Sequence, residues 1–239
     1  MYKAMLQAHG LCRTDQYVGR TALLLISVGR PYHEAEKLAA VIDRINFGRF
    51  GRCIVAVADT LQRHNYRAAS AQANHRESRR HGDEWIKRNE ELIAKLLMST
   101  EIVRWDDLLR RTDYAPNYHM ITNEYYSNPD YREAIDETIE AFAARNGITR
   151  GMAGFDEIFY RALFYILEEC PIIMPMWAQD GIEFIIYPKQ MTRAMRKTRD
   201  LFVSNRYPNC ANWLSVKFKK RQASSAEAIG AEQADVDLD

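Results

Sequence analysis

A chain of 239 residues with 47% hydrophobic content can bury a substantial core, as one large domain or two small ones. No window reaches the ~18 uncharged apolar residues of a membrane span, and MYKAMLQAHGLCRTDQYVGR at the start has scattered charges where a signal peptide needs an apolar stretch. The net charge of +1 hides an asymmetry: residues 222–239 hold Glu227, Glu232, Asp235, Asp237 and Asp239 and no Lys or Arg, so the remainder is mildly basic and permits a polyanionic partner.

In chain order, ALLLISV (22–28) is a short apolar run, as in a strand buried on both faces of a parallel sheet. Ala35, Leu38, Ile42 and Ile45 follow at helical spacing, and CIVAVAD (53–59) is a second buried strand. Strand, helix and strand within about forty residues predict a βαβ unit, hence an α/β, Rossmann-like parallel sheet flanked by helices. Residues 71–98 read as a long polar helix, and EIVRWDDLL (101–109) as a short strand and a helical turn. Helices are predicted over 128–145 and 154–169, and strands over 182–188 and 213–220. Residues 1–221 are expected to form one domain, and the acidic segment 222–239, which lacks apolar periodicity, a disordered tail. Cys12, Cys53, Cys170 and Cys210 form no CxxC pair, which fits a reducing compartment and predicts a cytosolic protein.

Ligands of open parallel sheets bind at the carboxyl ends of the strands, which gives Ser27, Asp59 and Tyr187 a common address. The usual nucleotide motifs are missing. Neither GxGxxG nor GxxxxGK[ST] occurs, nor the HIGH and KMSKS signatures of class I aminoacyl-tRNA synthetases, so neither ATP nor NAD is expected as a cofactor. LISVG (25–29) falls one residue short of the GxSxG elbow of serine hydrolases, with Leu25 where the sharp turn wants glycine. The last histidine is His119, which argues against the Ser…Asp…His order of that class. Without HExxH or a Cys/His cluster, no metal site is expected.

In FDEIFYRALFYILEECP, Ile158, Ala162, Tyr165 and Glu169 fall on one helical stripe. Glu169 also lies in the last turn before Pro171, where the helix dipole disfavours negative charge. Two readings stand: a solvated helix end with Glu168 and Glu169 exposed, or a buried carboxylate and phenol that hold an ammonium group.

Ser27 after the first apolar strand, the segment Tyr165-Ile-Leu-Glu-Glu169-Cys-Pro171, and Tyr187-Pro188 at the end of a late strand together resemble the signatures of tRNA-dependent cyclodipeptide synthases. The strand ending in Asp59 and the HGDEW segment (81–85) agree in order and approximate spacing. The resemblance covers about residues 20–220 and implies a fold similar to the catalytic domain of tyrosyl- and tryptophanyl-tRNA synthetases. It also implies a ping-pong reaction that needs no ATP. An aminoacyl group moves from a first tRNA to the serine, a second aminoacyl-tRNA yields a dipeptidyl-enzyme, and the free amine closes to a 2,5-diketopiperazine.

Matched to the family, Ser27 is the nucleophile, Tyr165 and Glu169 hold the α-ammonium, and Tyr187 acts at the reacting ester. Gly29, Arg30 and Pro31 would turn the chain away and clear room for the acyl group. The better-known branch has Asn three residues after the serine and His after the late tyrosine. Here these are Arg30 and Pro188, as in a second branch named for a variable residue followed by Tyr-Pro, so the first branch's positioning groups do not carry over. Leu25 should narrow the first pocket, while Ala56 and Ala58 would widen it.

A tRNA partner should meet a basic surface. Arg76, Arg79, Arg80, Lys87 and Arg88 lie along one predicted helix, with Arg76, Arg80 and Lys87 on one stripe, diluted by Asp83, Glu84, Glu90 and Glu91. Arg193, Arg196, Lys197 and Arg199, or Lys217, Lys219 and Lys220, are alternative footprints. A monomeric cyclodipeptide synthase taking two aminoacyl-tRNAs is therefore expected, with a non-catalytic tRNA-binding domain and a serine hydrolase as rivals.

Overall fold

The computed structural model describes residues 1–8, 17–67 and 70–220. Cys12 and the predicted acidic tail lie outside the described residues. Six strands form one sheet in the order β1-β6-β5-β2-β3-β4. They are β1 (Tyr2–Ala8), β2 (Thr21–Ser27), β3 (Arg52–Ala58), β4 (Ser99–Arg104), β5 (Phe184–Tyr187) and β6 (Asn212–Lys220). All neighbours pair in parallel except β1, which runs antiparallel to β6. The expected α/β, Rossmann-like sheet is thus mostly parallel, with one antiparallel edge strand that the sequence reading did not predict.

The helices are α1 (Ala35–Gly48), α2 (Ala71–Ile93), α3 (Trp105–Leu109), α4 (Tyr114–Ser127), α5 (Pro129–Arg145), α6 (Phe155–Pro171), α7 (Trp177–Gln179) and α8 (Arg193–Phe202). Strand alternation sends Ala22, Leu24 and Ile26 to one face, where they pack with Leu38, Ile42 and Ile45 of α1 and with Trp85 of α2. Leu23 and Leu25 face the other side and pack with Trp105, Ile172, Met174 and Trp177. Ser27 continues that odd-numbered row. So does Tyr187, two residues after Ile185, which belongs to the same cluster. A third cluster joins α4, α5, α6 and α8 through Ile121, Ile135, Ile139, Leu167 and Phe202. Each fully buried aliphatic side chain of this kind contributes ~1.5–3 kcal/mol.

Order along the chain leaves a gap at the centre of the sheet. From β2 the chain builds outward through β3 and β4, then returns to β5 on the other side of β2. The crevice between β2 and β5 is the switch point where such sheets bind ligands. Pro171 does not end the helix that leads to it. The rod continues as a π-type turn over Ile172–Met176 and then α7, and every residue from Ile166 through Ala178 is buried. Glu169 therefore sits inside a longer helical rod, and the expected free C-terminus is absent at that point. Local widening of this kind absorbs the hydrogen bond that a proline cannot donate.

Candidate active site

Ser27 closes β2 and is 7% exposed. Its Oγ lies 3.1 Å from the Tyr187 hydroxyl at the end of β5, across the switch-point crevice. The Tyr187 hydroxyl is in turn 3.0 Å from that of Tyr32, so three hydroxyls form a chain. Burial raises the Tyr187 phenol above its ordinary range, with Tyr32 adding to the effect, and keeps it neutral.

Tyr32 reaches this place because the chain folds back after Ser27. Gly29 has φ +82°, a left-handed conformation that favours glycine, while a Cβ there would meet nothing within 4 Å. Backbone conformation is therefore enough to favour glycine at this position. Pro31 opens a short 3-10 turn, Pro31–His33, which returns His33 to the strand end. The His33 Nδ1 accepts the Ser27 N–H at 2.9 Å, and Trp85 Nε1 of α2 donates to the His33 carbonyl at 2.9 Å. Burial pushes the His33 imidazole down to about 3, so it is neutral. It touches the main chain of Ser27 and not Oγ, and no Ser–His dyad of a hydrolase is present among the described residues.

One wall of the crevice comes from α6. Tyr165, Ile166, Glu169 and Cys170 line a pocket with Leu25 of β2, Arg30, Tyr187 and Trp213 of β6. Glu169 is 9% exposed, and burial pushes its carboxyl up to about 8, against a hydrogen bond from Tyr165 and with the charge of Glu168 adding to the rise. The exposed helix-end reading is thereby excluded for both carboxylates. The Tyr165 hydroxyl accepts from Gln62 Nε2 at 3.4 Å, and burial holds that phenol well above its usual value. An ammonium group bound beside Glu169 and Tyr165 would favour ionised Glu169.

Behind Glu169, Glu168 is clamped. Arg63 and His64, from the 3-10 turn Thr60–Asn65, both reach its carboxylate, and Trp105 Nε1 donates to it at 2.9 Å. Burial alone would raise this acid, but His64 and Arg63 outweigh it and hold it low. Asp59, fully buried, is likewise committed, to Arg104 and to the Thr60 N–H. Helix α2 passes close to this pair at Gly82, where a Cβ would stand 2.4 Å from Asp59 Oδ2.

Other sequence-predicted residues are placed less centrally. Leu25 and Arg30 line the pocket, whereas Ala56 and Ala58 are buried in the sheet core and, with Gly29 and Pro188, are not part of its lining. On α2, Arg76, Arg80 and Lys87 are exposed along one face as expected. Arg80, however, is held by Glu77 and Glu84, Arg79 by Asp106, and Arg88 by Glu34. Sequence reasoning missed Tyr32, His33, Arg63 and Glu168; the only signal for the first two was Pro31 after Gly29, which marks a tight return of the chain.

No family model matches the chain, and no curated protein matches it. Solved structures do. A cyclodipeptide synthase (CDPS) from Fluoribacter dumoffii is 30% identical, with 92% of this chain and 99% of that one covered and a TM-score of 0.84. This chain belongs to the cyclodipeptide synthase family. It is accordingly an enzyme, of the tRNA-dependent aminoacyltransferase class. Two more distant synthases share the fold. The one from Candidatus Glomeribacter gigasporarum, bound to Phe-tRNAPhe, is 17% identical over 85% of this chain and 89% of its own, with a TM-score of 0.64. The one from Mycobacterium tuberculosis, whose structure relates such enzymes to type I tRNA synthetases, is 12% identical over 92% and 94%, with a TM-score of 0.63. Within this cyclodipeptide synthase no group of His, Cys, Asp and Glu among the described residues could hold a metal ion, and no described helix is long and apolar enough to cross a membrane.

Proposed function

We propose that this enzyme condenses two aminoacyl groups, delivered on tRNA, into a 2,5-diketopiperazine through an ester on Ser27, and that it belongs to the branch marked here by Tyr187-Pro188. The observation that carries the reading is the 3.1 Å contact of Ser27 Oγ with the Tyr187 hydroxyl, beside a pocket walled by Glu169 and Tyr165. A fold relative bound to Phe-tRNAPhe supports tRNA as the carrier.

Ser27 Oγ attacks the carbonyl of the first aminoacyl ester, and its proton leaves with the ribose hydroxyl of the departing tRNA. Tyr187 is within reach to carry that proton, and Tyr32 steadies Tyr187. Glu169 and Tyr165 hold the α-ammonium. Once deprotonated, that amine attacks the ester carbonyl of the second aminoacyl-tRNA; the new amide forms and the second tRNA departs. The terminal amine of the dipeptide then attacks the Ser27 ester, the ring closes, and Oγ regains a proton. Each step exchanges one ester or converts one to an amide, so no ATP is consumed.

Incubation with aminoacyl-tRNA carrying a labelled amino acid should leave an alkali-labile label on Ser27, and complete turnover should give diketopiperazines detectable by mass. Ser27→Ala should form neither and still bind tRNA. Full product from Ser27→Ala would end the covalent reading.

A further inference from the structure

The Glu169 pocket opens outward into a wider chamber. Arg30, Asn65, Phe142, Arg145, Ala162 and Lys189 line both. Five side chains of the outer chamber are cations (Arg30, Arg67, Arg145, Arg161 and Lys189), and none is a carboxylate. In a chain with 33 Lys and Arg against 32 Asp and Glu, such a one-sided lining calls for an anionic occupant.

Two of the five are already engaged. Arg161 donates to the carbonyls of His64 and Tyr66 at 2.9 and 3.2 Å and reaches Glu157, which Arg67 also faces at 3.7 Å. Arg30, Arg145 and Lys189 have no ion-pair partner among the described residues. They come from three separate places, the turn after β2, the end of α5 and the turn after β5, and converge on one concavity. Arg145 lies over the Phe142 ring at 6.0 Å and Lys189 over the Tyr32 ring at 5.9 Å, which restrains both. Phe142 and Ala162, with Ile148 and Ile158 farther out, add an apolar wall suited to methylene groups.

We propose that the outer chamber receives the second aminoacyl group and that this group bears a side-chain carboxylate, aspartyl or glutamyl. The inference rests on the tRNA-dependent reading above. A carboxylate matches the planar fork of a guanidinium, and two such forks with an ammonium can surround it. RNA phosphates would also suit cations. Against them, Arg30, Arg145 and Lys189 share the wall of the inner pocket with Tyr187 and Glu169, the residues that the reading above sets beside the acyl group. In the condensation the amine of the Ser27-bound residue forms the C–N bond, the ester C–O bond to the second tRNA breaks, and a proton from the amine leaves with the ribose hydroxyl. The side-chain carboxylate stays ionised throughout.

The test offers the full chain a complete pool of aminoacyl-tRNAs and identifies the diketopiperazines by mass. Products containing Asp or Glu are expected. In a competition between glutamyl- and glutaminyl-tRNA, or aspartyl- and asparaginyl-tRNA, the double variant Arg145→Gln/Lys189→Gln should lower the ratio of acidic to amide product about tenfold or more. Diketopiperazines lacking any acidic residue would overturn the inference and leave the tRNA-dependent reading standing. Equal loss of all products in the double variant, with a shallower salt dependence of tRNA binding, would assign these cations to phosphates and overturn it as well. No diketopiperazine from any pool would overturn the underlying reading itself.

Discussion

Glu168 and Glu169 are consecutive on α6, buried alike at 7% and 9% exposure, and their acidities are pushed in opposite directions. One turns toward Arg63, His64 and Trp105 and stays ionised. The other turns toward the pocket, where Tyr165 bonds it, and burial pushes it up to about 8. A helix places neighbours about 100° apart, so a single step along the chain separates a structural carboxylate from one left for a ligand.

Stability should register this difference through pH. Because the Glu169 carboxyl titrates in the fold near 8 and ordinarily near 4.5, its stabilising contribution is complete below about 4.5 and is lost as pH rises through 8. Melting temperatures of the parent and of Glu169→Gln, compared between about pH 5 and 8.5, should diverge as pH rises, with the parent falling more steeply. Glu169→Gln should nearly abolish product, since an amide cannot pair with the α-ammonium. Parallel melting curves for the two proteins would mean that Glu169 is not held protonated.

The opposite result is expected for its neighbour. Glu168→Gln leaves the partly buried Arg63 facing an amide and should cost about 3 kcal/mol in urea unfolding at neutral pH. Stability unchanged within error would mean that Arg63 finds another acceptor.

How much of this could be read without coordinates depends on where each residue sits. Runs such as ALLLISV and CIVAVAD betray strands buried on both faces, and Ser27 and Tyr187 can be placed because each ends such a strand. The strand β1, YKAMLQA, mixes polar and apolar residues at the antiparallel edge, with mostly half-buried side chains, and gives no such signal. Helix α4, rich in Tyr and Asn with Pro116 in its first turn, has little periodicity and is equally silent. Tyr165 and Glu169 can be found from one helical stripe, but the burial of Glu169 cannot, because Pro171 resembles a helix end in sequence. Tyr32, Arg145 and Lys189 come from turns or a helix end, where spacing carries no information about what faces what.

Tyr32 supplies a prediction that separates it from a mere packing residue. Its hydroxyl holds that of Tyr187, 3.0 Å away, while the ring packs edge-on against His33. Tyr32→Phe keeps the ring and removes one hydrogen bond, worth ~1 kcal/mol, so formation of the Ser27 adduct should slow by about five- to tenfold with the melting temperature nearly unchanged. Tyr187→Phe should slow it more. If Tyr32→Phe acylates at the parent rate, the hydroxyl chain stops at Tyr187.

The surface of α2 gives the last prediction, and the structure sharpens which of its cations should matter. Arg76, Arg80 and Lys87 share one exposed face, but Arg80 already holds Glu77 and Glu84, whereas Arg76 and Lys87 have no ion-pair partner among the described residues. If this face meets the acceptor arm of tRNA, releasing condensed counterions from its phosphates drives part of the binding, and affinity should fall steeply with salt. Arg76→Glu and Lys87→Glu should each weaken tRNA binding and flatten its salt dependence, since each removes a cation available to a phosphate. Arg80→Glu should weaken binding too, but also sets three acids together on one helix face and should lower the melting temperature, which the other two should not. Filter binding over a salt series, with thermal melts of the same proteins, reads both effects. Parent-like binding by the Arg76→Glu/Lys87→Glu double variant would move the RNA to the cations of α8 or to Lys217, Lys219 and Lys220 on β6.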